Sequence, residues 1–300
     1  MVYYQKLLHK GEKKPMTTLL NGKELSEELK QKMKIEVDEL KEKGLTPHLT
    51  VILVGDNPAS KSYVRGKEKA CAVTGISSNL IELPDDTTEE ELLSIIDEQN
   101  NDDSVHGILV QLPLPDQMDE QKIIHAISPA KDVDGFHPIN VGKMMTGEDT
   151  FIPCTPYGIL TMLQSKDISL EGKHAVIIGR SNIVGKPIGL LLLQENATVT
   201  YTHSRTKNLQ EITKQADILI VAMGRAHAIN ADYIKKDAVV IDVGINRKDD
   251  GKLTGDVDFE NAKEKASFIT PVPRGVGPMT ITMLLKNTIK AAKGLNHVER

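Results

Sequence analysis

Tryptophan is absent from the 300 residues, and four phenylalanines and six tyrosines make up the whole aromatic content. A core built from this chain is therefore aliphatic, and a platform of rings for stacking single-stranded bases is excluded. Cysteine is nearly absent too: Cys71 and Cys154 form no CxxC pair and sit in no Cys/His cluster at zinc spacing. That excludes a disulfide framework and leaves a structural zinc ion, or any other metal, without a ligand set. Two reduced thiols suit the cytoplasm. Positive charge is in deficit, with 37 Lys and Arg against 42 Asp and Glu and a net −5, which argues against nucleic-acid backbones and anionic membranes as partners. Apolar runs are short, such as VILV at 51–54 and ILIVAM at 218–223, well below the roughly 18 residues of a membrane span. No GxxxxGK[ST] phosphate loop occurs, so an ATP-driven synthetase step is not expected.

What is present fits a globular chain, with 39% hydrophobic and 26% charged residues. At about 150 residues per domain, the length predicts two domains. Residues 1–16 carry four lysines and no long apolar segment, resemble neither a secretory signal nor a transit peptide, and read as a flexible extension. From there helix and strand patterns alternate. A helical face over 24–43 ends at Gly44, a buried strand follows at 49–55, and a helix over 59–74 is closed by Gly75. Strands are expected at 79–84 and 105–115, with a Thr88/Glu91 capping box opening the helix between them. The stretch 128–153 shows little periodicity and is read as loop and domain junction. Thr155-Pro156 reads as the N-cap and first residue of a helix. Strand, glycine turn, helix and strand then run through 173–203, with further strands within 217–223, 238–245 and 268–270. Such alternation predicts an α/β fold with mainly parallel sheets. The expected division is a first domain over 17–153, a Rossmann-like dinucleotide domain over 154–278, and a terminal helix, 279–294, that returns to the first domain.

HAVIIG running into GRSNIVGKPIG has the layout of a dinucleotide turn, with Gly179, Arg180, Ser181 and Gly185 at its bend. The spacing is not GxGxxG, so a plain glycine turn packing helix on sheet is the competing reading. About 20 residues on, an NAD site places an acid against the ribose. Here the chain reads Thr202-His203-Ser204-Arg205-Thr206-Lys207; hydroxyls and cations favour a 2′-phosphate and hence NADP, unless they are only a solvated turn. In the first domain, Tyr63 and Lys67 lie one turn apart on a helix that follows a strand, where ligand crevices of open α/β sheets form. A lysine dried by burial there can act as a base, while an exposed pair of this kind is the commoner case. Gln111 sits at a strand's carboxyl end, and Asp134 precedes Gly135 in a loop, as a functional carboxylate or a simple turn residue.

The segments VGDNPASKSYVRGKEKACAVTGI, GILVQLPLP, KDVDGFHPIN, PCTPYGI, GRSNIVGKPIG and TPVPRGVGPMT, in this order, resemble the bifunctional methylenetetrahydrofolate dehydrogenase/methenyltetrahydrofolate cyclohydrolase family. The resemblance runs over about residues 17–293. It implies NADP-dependent oxidation of 5,10-methylenetetrahydrofolate, then hydrolysis of the methenyl product to 10-formyltetrahydrofolate. That places the chain in one-carbon metabolism and purine biosynthesis, as a cytoplasmic homodimer. By the resemblance, Lys67 is the catalytic lysine, Tyr63 stacks on the folate, Gln111 orients the lysine, and Asp134 binds the pterin. Arg180 and Ser204 match positions holding the 2′-phosphate, with Arg205 beside them; Ile245 joins the cofactor set, and Pro273 and Gly275 the substrate set. A dehydrogenase without the hydrolase and a non-catalytic folate or nucleotide binder are the competing functions. One position departs from the family: Arg274 stands where a glycine is usual, implying positive φ or close backbone approach at that point.

Overall fold

The computed structural model describes residues 17–298; the expected extension over 1–16 lies outside the described residues. In chain order the first half comprises β1 (Thr18–Leu19), α1 (Gly22–Glu42), β2 (His48–Val54), α2 (Pro58–Thr74), β3 (Ser77–Leu83), α3 (Glu89–Asn101), β4 (Gly107–Val110), α4 (Glu120–Ala126) and α5 (Pro138–Thr146). The second half comprises α6 (Cys154–Gln164), β5 (His174–Ile178), α7 (Gly185–Gln194), β6 (Thr198–Thr202), α8 (Leu209–Thr213) and β7 (Ile218–Val221). It continues through a 3₁₀ turn at Ala231–Tyr233 to β8 (Val239–Asp242), β9 (Asn246–Arg247), β10 (Leu253–Thr254), α9 (Phe259–Ala262), β11 (Phe268–Ile269) and α10 (Val276–Leu295).

The helix boundaries follow from their caps. Asn21 accepts from the Glu24 N–H at the start of α1, and Asn57 opens α2 with Pro58 behind it. Thr88 and Glu91 form the expected capping box on α3. Gly75 closes α2 in the left-handed conformation. Four sequence expectations are corrected. The 128–153 stretch contains α5, whose N-cap is His137 rather than a Ser, Thr, Asp or Asn. α6 begins at Cys154, so Thr155 lies inside its first turn, and its hydroxyl pairs with that of Thr280 at 2.9 Å. The strand expected over 105–115 is only β4, and α10 starts at Val276, three residues before the predicted start.

Two parallel sheets result: β3-β2-β4, and a six-stranded sheet ordered β1-β11-β8-β7-β5-β6. β1 belongs to the second sheet through Thr18↔Phe268 and Leu19↔Ile269, although the first domain was expected to begin at residue 17. Strand alternation divides the interior. Leu49, Val51 and Leu53 of β2 share a core with Ala175 and Ile177 of β5 and with α6 and α10. Ile52 and Val54 face a second core with α3 and α4, and Val176 and Ile178 a third beneath β7 and β8. The central core joins both halves, and α10 packs on α6 and α1 within it.

The two halves are also tied where α1 and α10 begin. A Cβ on Gly22 would lie 1.9 Å from the Gly275 carbonyl oxygen, so only glycine permits this approach. Next to it, Arg274 has φ +83°, and its carbonyl accepts from the Lys23 N–H at 3.0 Å. The glycine usual at this position thus answers a backbone need, and a non-glycine there costs roughly 1–2 kcal/mol. Arg274→Gly relieves that cost against about 0.5–1 kcal/mol of extra chain freedom in the unfolded state. The expected result in denaturant unfolding is a gain of about 0.5–1 kcal/mol; a clear loss would show that the arginine side chain stabilises the loop.

Candidate functional site

α2 leaves β2 at the carboxyl edge of the smaller sheet, because the Asn57 side chain accepts from the Ala59 and Ser60 N–H groups at 2.9 and 3.2 Å. That turn carries Tyr63 and Lys67 on one face. Beyond β4, Gln111 still donates its backbone N–H to Ile52 O at 2.9 Å, so it stays registered beside β2. Its side-chain Nε2 donates to Leu112 O at 2.6 Å, which turns Oε1 to accept from Lys67 Nζ at 3.0 Å. Asp134 arrives on a loop built around buried Asp132, which accepts from the Phe136 and His137 N–H groups and from Asn140 Nδ2. From α10, buried Asn287 donates to Val133 O at 2.8 Å and Ile152 O at 3.0 Å, fixing the backbone on either side of this loop. Gly135 has φ +75°, and a Cβ there would lie 2.7 Å from Pro153 N.

Lys67 is 9% exposed. Burial lowers its pKa below the ordinary lysine value, and the nearby Asp134 carboxylate opposes the shift. Asp134 is pushed up to about 6 by burial, with Lys67 pulling the other way and Asp132 adding to the rise. Burial thus moves the two proton affinities toward each other, as sites that transfer protons require. Tyr63 is 40% exposed; partial burial raises its phenol, and Arg247 of the larger half is close enough to oppose that rise.

The dinucleotide turn is in the larger half. Gly179, at φ +132°, has no room for a Cβ, which would lie 2.2 Å from Ala222 O; one on Gly185 would lie 2.6 Å from Gly179 O. Such close backbone packing leaves the start of α7 open toward a pyrophosphate. Register pairs Ile178 with Thr202, and Gly179 donates its N–H to Thr202 O. Arg180 and Ser204 each lie two residues past the ends of these neighbouring strands and both are exposed, with Arg205 on the same loop as Ser204. No acid stands among 202–207. The residues present therefore fit a phosphorylated ribose. Within the turn, the Ser181 hydroxyl oxygen accepts from the Val184 and Gly185 N–H groups at 3.2 Å and so helps to shape it. Ile245 is 46% exposed just beyond β8, beside the beginning of α10 at Gly277. Pro273 is exposed and Gly275 buried on the loop entering α10. Sequence reading missed Asp132, Asn287, Arg247 and the buried pair Asp242 and Asp256. The available signal for Asp242 was an acid ending the apolar run AVVID, which must find donors inside the fold.

A pyrophosphate turn on one α/β unit and a dry lysine on the other put this protein among two-domain, dinucleotide-dependent enzymes. A family model described as the catalytic domain of tetrahydrofolate dehydrogenase/cyclohydrolase matches residues 20–134, and one for the NAD(P)-binding domain matches 153–296. The chain belongs to the tetrahydrofolate dehydrogenase/cyclohydrolase family. It is 94% identical over 285 residues to the bifunctional protein FolD of Oceanobacillus iheyensis, covering 95% of this chain and 100% of the relative. The crystal structure of the bifunctional FolD enzyme from Campylobacter jejuni superposes with a TM-score of 0.91 at 53% identity, covering 93% of this chain and 99% of that one. The Trypanosoma brucei enzyme, solved with NADP cofactor and an inhibitor, gives 0.90 at 36% identity, covering 94% and 99%.

The Asp134 shift fixes a sign for pH dependence. A carboxyl raised to about 6 on folding binds more protons in the native state between its unfolded value, near 3.8, and 6. Its contribution to stability is therefore full at low pH and declines as pH rises through that window. Unfolding free energies of wild type and Asp134→Asn, measured from pH 4 to 7, give the comparison. The difference, wild type minus variant, should fall as pH rises; a flat or rising difference would contradict a raised Asp134.

Proposed function

We infer that this chain is a bifunctional enzyme that oxidises 5,10-methylenetetrahydrofolate with NADP and hydrolyses the 5,10-methenyl product to 10-formyltetrahydrofolate. The observation that carries the reading is the buried Lys67 amine, held on the Gln111 amide and facing Asp134. NADP, when bound, would supply the acceptor for the hydride of the methylene carbon. Arg180 and Ser204 would hold its 2′-phosphate, with Arg205 alongside and Ile245 lining its approach. Hydride transfer needs alignment more than an acid or base, and the exposed Tyr63 ring offers a face on which to stack the pterin. Asp134 would accept hydrogen bonds from the pterin, while Pro273 and Gly275 line the loop beside it.

Hydrolysis then needs one placed water. Its oxygen adds to the cationic methenyl carbon, and neutral Lys67 takes the first proton, which is released to solvent. The second water proton ends on N5 as the carbon–N5 bond breaks and the formyl group remains on N10. Burial keeps a fraction of Lys67 unprotonated for this task, and Gln111 holds its Nζ in place. We further propose a cytoplasmic homodimer that supplies one-carbon units for purine biosynthesis. Two buried free thiols suit a reducing compartment, and β6, with exposed Tyr201, is a sheet edge that a second copy can extend.

Lys67→Met separates the two steps. With 5,10-methylenetetrahydrofolate and NADP, wild type should form reduced cofactor with little methenyl absorbance. The variant's hydrolysis should fall by about a hundredfold or more, within the range of general acid–base contributions, so that any methenyl formed accumulates. Equal hydrolysis in both proteins would remove Lys67 from the reaction.

A further inference from the structure

Asp256 lies between β10 and α9 and is completely buried. Its carboxylate accepts four hydrogen bonds: from the Met223 and Gly224 N–H groups at 2.8 and 2.9 Å through Oδ2, and from the Arg225 N–H at 2.8 Å and Asn246 Nδ2 at 2.9 Å through Oδ1. Three of those donors belong to the loop leaving β7, and the fourth, Asn246, opens β9 directly after the loop leaving β8. Both loops stand at carboxyl ends of the larger sheet. Strand order reverses between β5 and β7, and such switch points are where open α/β sheets seat their ligands. The β7 loop begins at Ala222, whose carbonyl packs against Gly179 of the dinucleotide turn. Asn246 directly follows Ile245.

Asp256 is itself held by another carboxylate. Asp242, at the end of β8, accepts from the Asp256 and Gly244 N–H groups through Oδ1 and from the Val257 N–H through Oδ2, at 2.9 to 3.0 Å. The packing is tight enough that a Cβ on Gly244 would lie 2.3 Å from the Asp256 carboxyl carbon. Burying a carboxylate without a cation is costly, and here backbone amides supply the compensation. A purely structural role needs no such convergence of two cofactor-side loops on one group.

We propose that Asp256 is a positioning residue for hydride transfer, setting the β7 and β8 loops that stand beside the dinucleotide turn at the carboxyl edge of the larger sheet. This rests on the assignment of the dinucleotide to the Gly179 turn. The cyclohydrolase step uses Lys67 and Gln111 and needs no cofactor, so the enzyme carries its own control. In Asp256→Asn, one oxygen that accepted two bonds becomes a donor, and at least one loop N–H loses its partner. The kcat/KM of the dehydrogenase for NADP should fall by about tenfold to a hundredfold, the scale of a misplacement near 1 Å. Hydrolysis of 5,10-methenyltetrahydrofolate added directly, without NADP, should stay within about twofold, since it depends on none of the positioned loops. The primary deuterium isotope effect from deuterated methylene substrate should rise as hydride transfer becomes slower.

Asn246→Ala removes only one of the four bonds and should show the same split more weakly, even if Asp256→Asn does not fold. Parallel loss of both activities in Asn246→Ala, or a split with no change in isotope effect, would overturn the positioning role. Arg180→Ala and Ser204→Ala distinguish the underlying assignment. If they leave the KM for NADP unchanged, the cofactor site is wrong; if they raise it while Asp256→Asn and Asn246→Ala do not alter the dehydrogenase, only the Asp256 proposal fails.

Discussion

The removal of one ammonium group from water is the constraint on which the site depends. Lys67 gives up hydration at a cost of several kcal/mol, and the fold returns an amide oxygen and a nearby carboxylate. Holding those two partners in place takes most of the smaller half. The cap at Asn57 aims α2, the β2–β4 register fixes Gln111, and Asp132 with Asn287 fixes the loop that carries Asp134. The incomplete compensation is what makes the amine useful, because a fully paired lysine would stay protonated.

Carboxylates perform the complementary task in the larger half. Asp242 and Asp256 accept seven hydrogen bonds between them, all from loop amides and one asparagine. Two loops that would otherwise be free to shift are locked at the carboxyl edge of the sheet. The halves are then joined by a common aliphatic core through α6 and α10 and by the Gly22–Gly275 contact. A substrate between Tyr63 and the dinucleotide turn thus meets two surfaces belonging to one packed body.

Periodicity and end signals made most of this architecture legible: Gly75, the Thr88/Glu91 box and the buried strands around VILV and ILIVAM all have local causes. β1 was invisible because two residues cannot show a period, and its pairing with β11 spans nearly the whole chain. α5 was missed because its cap is a histidine imidazole and its nine residues are barely long enough to display a stripe. The candidate site was legible as residue types, but spacing alone could not bring Lys67, Gln111 and Asp134 together. Asp256 was hidden for another reason: in sequence it is an acid in the polar-looking GDVDF, and only long-range folding buries it.

The direct test is the titration of Lys67 itself. Selective labelling of lysine side chains, with the Lys67 signal assigned by its loss in Lys67→Met, would follow the amine while hydrolysis of 5,10-methenyltetrahydrofolate is measured over the same pH range. The account predicts that Lys67 titrates below the ordinary lysine value of 10.5 and that kcat/KM for hydrolysis rises along that titration. An amine titrating at its ordinary value, or a hydrolysis profile that ignores it, would contradict the claim that burial makes this lysine the base.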